Sequence, residues 1–164
     1  MIRLSVDVLV HQPAWRAAMP DVEAVCRRAA RAAVEATGRS LGAAEVAIVL
    51  ADDGEVQQLN RRYRGQDKPT DVLSFAASDE ALAGVGGLPV PLGDVVMALE
   101  TAAADAAAAG TPLRDHLSHL VVHGMLHLLG YDHLTDADAE VMEGIERAAL
   151  DGMGIPNPYE HDPH

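Results

Sequence analysis

Two strand-like runs follow one another in this chain with no helix between them. DVLSF at 71–75 and GDVVMALE at 93–100 are both rich in apolar and β-branched residues. Helical runs then come one after another with no strand among them. A doubly wound sheet alternates strand with helix throughout, so this order excludes it. Two earlier strands complete the set. Leu4, Val6, Val8 and Val10 alternate with polar residues, and EVAIVLA occupies 45–51. The expected fold is α+β, a single domain over 1–155 whose mixed four-stranded sheet is packed with helices. The residues from Pro156 to the end are short, polar and proline-containing, and are expected to form a flexible C-terminal tail.

Capping residues delimit the helices. Asp21 starts one that runs to about Thr37 and stops at Gly38. Its Arg27, Arg28 and Arg31 are expected on the solvated face, and Cys26 among its apolar positions. Asp52 and Asp53 cap a short helix with Val56, Leu59 and Tyr63 on one side, ended by Gly65. The Gly/Pro-rich residues 78–92 read as a loop, and the Ala-rich stretch 101–109 as a helix. Thr111 and Pro112 open the next helix, which runs to about Leu129 and stops at Gly130. Thr135 opens the last one, with Asp136 and Asp138 in the first turn, where negative charge suits the helix dipole.

HGMLHLLGYDH, residues 123–133, carries three of the eight histidines. Residues four apart share one helix face, so His123 and His127 can aim ring nitrogens at one ion. Gly130 lets the backbone leave the helix in a left-handed conformation and return His133 to the same place. Three neutral nitrogen ligands with an open fourth position is the usual protein share of a catalytic zinc site. The expected cofactor is one Zn2+ per chain, held on a late helix and the turn after it. The long zinc-protease pattern has Glu after the first histidine as general base; this chain has Gly124 there. The ligand spacing is present and the protease base is absent. His116 and His119 lie on the same helix and read as ordinary, hydrogen-bonded or partly exposed histidines.

Charge adds a second constellation. The formal net charge is -13, yet Asn60 to Phe75 holds Arg61, Arg62, Arg64 and Lys68, four of the twelve basic residues. An acidic average opposes nonspecific nucleic-acid binding, and a local reversal of it creates a place for a phosphate. The five aromatics are too few for a module that reads bases by stacking. No apolar run reaches about 18 residues, so no membrane span is expected. The alternating N-terminus reads as a strand and not as a leader, and the lone cysteine permits no intrachain disulfide. The expected location is cytoplasmic.

HGMLHLLGYDH, the upstream YRGQDKPTDVLSF and the GDV at 93–95 together resemble the YbeY family of bacterial rRNA maturation factors, zinc-dependent endoribonucleases. The resemblance runs from about Asp52 to Asp151. It implies a cleft with one metal held by His123, His127 and His133, and a cleft arginine at Arg64 that matters for activity. It further implies RNA as partner, namely rRNA and ribosomal particles with their ribosomal or assembly proteins. The implied role is single-strand cleavage in maturation of the 16S rRNA 3′ end and in ribosome quality control.

On this reading Arg64 binds phosphate through its planar fork, and Gly124 leaves the phosphate room. Zinc hydroxide or the 2′-hydroxyl of the RNA could be the nucleophile, and the general base is not identified. Two alternatives stand beside the nuclease. One is a ribosome-assembly binding factor stabilised by zinc and without nuclease activity. The other is a metalloprotease-like hydrolase, which the missing Glu opposes.

Overall fold

The computed structural model describes residues 3–39, 42–77, 89–132 and 134–156. Four strands, β1 (Arg3–Val10), β2 (Ala43–Ala51), β3 (Val72–Ala76) and β4 (Val90–Ala98), form one sheet in the order β1-β2-β4-β3. The first three neighbours run parallel, and β3 is antiparallel to β4. The sheet is therefore mixed and four-stranded, as the order of the sequence runs requires. A tight β3–β4 pair follows from their adjacency in sequence, since antiparallel neighbours need no crossover helix.

Six helices accompany the sheet among the described residues: α1 (Ala14–Ala18), α2 (Val22–Thr37), α3 (Asp53–Arg64), α4 (Leu99–Ala109), α5 (Leu113–Leu128) and α6 (Asp136–Gly152). Several caps act as expected. The Asp52 side chain accepts from the Glu55 backbone N–H, and the Thr135 hydroxyl from that of Asp138. Gly38 and Gly65 end their helices in the left-handed region.

Three details differ from the sequence reading. The five-residue α1 was not expected. Strand β4 begins at Val90 and ends at Ala98, so Val90 to Leu92 belong to the sheet and Leu99 and Glu100 already belong to α4. Pro91 is tolerated because β3 pairs only with 93–97 and leaves that end of β4 on an edge. Pro112, and not Thr111, occupies the N-cap of α5, with no side-chain capping bond. The core of the expected loop, 78–88, and the tail from Asn157 onward lie outside the described residues.

The two sheet faces carry unequal cores. One face buries Leu4, Val6, Val46, Ile48, Leu50, Val95 and Met97 against α2, α5 and α6. The other buries a small cluster of Val49, Ala51, Leu73, Val96 and Ala98 under Val56 of α3. Leu92 and Val95 both face the larger core although they are three apart, because the β2–β4 register shifts by one residue beside Gly93. Gly93 has φ +134, and a Cβ there would lie 2.2 Å from the Phe75 carbonyl oxygen. The side chain of Trp15 in α1 is fully buried and its indole N–H donates to the Ala51 carbonyl at 2.8 Å, pinning α1 to the end of β2.

Candidate metal centre

Helix α5 is positioned on three sides. It packs on α2 and α6, and its underside rests on β3 and β4. The close approach to the sheet depends on Gly124. A Cβ there would meet Val95 Cγ1 at 2.7 Å and Ser74 Oγ at 3.1 Å. The Ser74 hydroxyl donates to the Gly124 carbonyl at 3.3 Å, so β3 touches the helix backbone itself. This corrects the expectation that Gly124 leaves room for a phosphate. Gly124 faces the sheet and is buried, and the space a side chain would need is filled by Val95. A side chain at 124 could be seated only if Val95 or the helix shifted, so the place that holds the base in the long zinc-protease pattern is taken here by contact with the sheet.

The same helix carries the histidines, His123 just before Gly124 and His127 three positions after it. His123 Nε2 and His127 Nε2 approach to 3.1 Å, with ring centroids 4.6 Å apart. Two ligand atoms bound tetrahedrally to one zinc at about 2.0–2.1 Å are separated by roughly 3.3 Å. The observed separation matches, and the donor chemistry fits a borderline cation.

Glu146 explains why the rings stand this way. It comes from α6, is fully buried, and accepts from His123 Nδ1 at 2.7 Å through Oε1. Its Oε2 accepts from His119 Nε2 at 3.1 Å. A carboxyl group accepting from Nδ1–H fixes the tautomer in which Nε2 of His123 carries the lone pair, the form a metal ligand needs. His119 is hydrogen-bonded, as expected, and its partner makes it part of this assembly. Sequence reasoning missed Glu146. The signal was available, since Glu146 interrupts the buried stripe of Met142, Ala149 and Leu150 on α6, and a charged residue inside an apolar stripe needs a partner.

The C-terminus of α5 closes as the glycine predicts. Gly130 has φ +97, and the Tyr131 N–H returns to the Leu126 carbonyl at 3.0 Å. Arg39 donates to the Leu129 carbonyl at 2.8 Å, adding a cation at the negative end of the helix. His133, the third expected ligand, lies outside the described residues.

Arg64 is the remaining expected site residue. It is exposed, as the last residue of α3, as are Arg61, Arg62 and Lys68. The Arg62 guanidinium lies 5.5 Å from the centroid of the Tyr63 ring, which meets Phe75 edge-on. Cys26 is fully buried in α2, and burial pushes its thiol up to about 12, so it offers no thiolate ligand. No helix among the described residues is long and apolar enough to cross a membrane.

Comparison with known proteins gives a consistent result. The family model described as endoribonuclease YbeY matches residues 11–154. A Paramagnetospirillum magneticum protein named endoribonuclease YbeY is 53% identical over 159 residues, covering 96% of each chain. An Azorhizobium caulinodans protein of the same name is 46% identical over 157 residues, covering 95% of this chain and 96% of its own. The solution structure of TM1509 from Thermotoga maritima superposes with a TM-score of 0.54 at 22% identity, covering 99% of this chain and 98% of that one, and supports the fold.

Proposed function

The chain belongs to the endoribonuclease YbeY family, and from that premise we propose that it is a zinc-dependent, single-strand endoribonuclease. Its proposed task is maturation of the 16S rRNA 3′ end and ribosome quality control, carried out in the cytoplasm on ribosomal particles. The observation that carries the metal dependence is the approach of His123 Nε2 and His127 Nε2 to 3.1 Å with Glu146 holding the Nδ1 of His123. His123, His127 and His133 are the proposed ligands. Zinc bound there would supply positive charge for a phosphoryl oxygen and acidify a bound water.

The chain's own residues do the rest. Glu146 keeps His123 in the ligating tautomer, and His119 holds the second oxygen of Glu146. Arg64 is the proposed phosphate contact, a planar fork that stabilises charge on the scissile group. The net charge of -13 favours docking through a protein partner over capture of bare RNA. A ribosomal particle is therefore the expected better substrate.

The deciding experiment measures metal content of the purified protein by elemental analysis, beside His123→Ala and His127→Ala. About one zinc per chain, lost in both variants together with RNA cleavage, is the expected result. Cleavage that persists in metal-free protein would refute zinc dependence. Arg64→Ala should retain the zinc and lose turnover by roughly 100-fold or more; undiminished cleavage would remove Arg64 from the mechanism.

A further inference from the structure

A second group of ligating side chains gathers near the other end of α5. Asp71 sits just ahead of β3, Asp105 lies on α4, and His116 is in the first turn of α5. One ligand-type atom from each lies within 4.8 Å of the other two. His116 Nε2 is sealed from solvent and has no hydrogen-bond partner. An imidazole nitrogen in that state is costly unless something outside the chain satisfies it.

The electrostatics of the cluster point the same way. Burial holds His116 below the ordinary histidine value, so the ring is neutral at pH 7 and offers a lone pair in place of a charge. Burial, and then the facing carboxyl of Asp71, push Asp105 above the usual carboxylate range. Asp53 adds to the negative field on Asp105 while its own carboxylate is taken up by the backbone N–H and hydroxyl of Thr101. No arginine or lysine among the described residues forms an ion pair with Asp71 or Asp105. Two carboxyls and a neutral imidazole thus face one another with no positive charge between them.

We propose that Asp71, Asp105 and His116 form a second divalent-cation site, distinct from the His123–His127 centre. Two carboxylate oxygens and one imidazole nitrogen suit a small first-row divalent ion such as Mn2+ or Zn2+, whereas Ca2+ takes six to eight oxygens. Seven residues separate His116 from His123, about 10 Å of helix. That is well beyond the roughly 3.5–4 Å of a two-metal catalytic pair. The second ion is therefore a brace. It joins the start of β3, α4 and the first turn of α5, and replaces repulsion between two carboxyls with shared attraction to one cation.

The test uses the full chain carrying both His123→Ala and His127→Ala, which disables the first centre and makes the outcome independent of the zinc reading above. Mn2+ is the probe, and its uptake is followed by loss of the free-ion signal in electron paramagnetic resonance. The expected result is uptake in this background that falls by one ion per chain when Asp71→Asn, Asp105→Asn or His116→Gln is added singly. Circular dichroism confirms folding of each variant. Asp105→Asn is isosteric at an exposed helical position, so it remains decisive if His116→Gln fails to fold. Equal uptake with and without the added substitutions overturns the proposal, as does no uptake in the background; both would leave the carboxyl pair held by a shared proton.

Discussion

Among the described residues, the histidines of helix α5 meet carboxyl groups at two places, and the carboxyls reach them differently. Toward its C-terminal end, one fully buried carboxyl from α6 sits between His119 and His123 and accepts from both. In the first turn, two carboxyls, one just ahead of β3 and one on α4, approach His116 and leave its Nε2 without a bond. Both arrangements set carboxyl groups against histidines of one helix. The first arrangement is complete in protein atoms, because one acceptor group lies between two donors. The second has acceptors facing acceptors, so its completion needs a proton or a cation from solution. A carboxyl–imidazole contact orients a ligand in the first case and gathers ligands in the second.

The sharpest way to break this contrast is Glu146→Gln, which keeps the shape and removes the carboxyl. If Glu146 orients His123, zinc affinity should fall about 10–100-fold in competition with a chromophoric chelator. An unchanged affinity would reduce Glu146 to a core residue. Next in size is Gly124→Ala, which pushes a Cβ against Val95 and Ser74. It should lower stability by about 2 kcal/mol in a urea titration, the scale of overpacking in a dense core. Stability equal to the parent would show that α5 can lift from the sheet without cost.

The smallest effect is expected at Asp105→Asn with chelator present. Asp105 is held above the ordinary 3.8, so the folded state favours its protonated form. Its contribution to stability is present below the ordinary value and lost as pH rises through the raised one. The asparagine variant avoids that loss. Its Tm should be slightly above the parent at pH 7 and level with it near pH 3. A lower Tm at pH 7 would mean that the two carboxyls are not in conflict.

Local features of the chain were readable because local physics sets them. The four-residue step from His123 to His127, the turn at Gly130 and the caps at Asp52 and Thr135 each depend on a few neighbouring residues, and each appears as expected. What escaped depends on where remote elements land. Glu146 lies 23 residues from His123 in sequence and meets it only once α6 packs on α5. Asp71 and Asp105 meet His116 because β3 and α4 flank the same turn. Gly124 was noticed as a missing base, yet its reason is the sheet beneath it. The start of β4 was hidden by Pro91 and the glycines before it, which read as loop until the edge position of that segment is known.

Trp15 gives the molecule a built-in optical reporter. It is the sole tryptophan, fully buried, with its indole N–H bonded to a β2 carbonyl. Native emission should therefore be blue-shifted and come from one environment, free of overlap with a second indole. Because Trp15 belongs to the connection between β1 and β2, a red shift marks the moment that connection leaves the sheet. Loss of helical ellipticity reports all the helices together. Following both signals through one unfolding transition would show whether the connection at Trp15 lets go with the helices or apart from them.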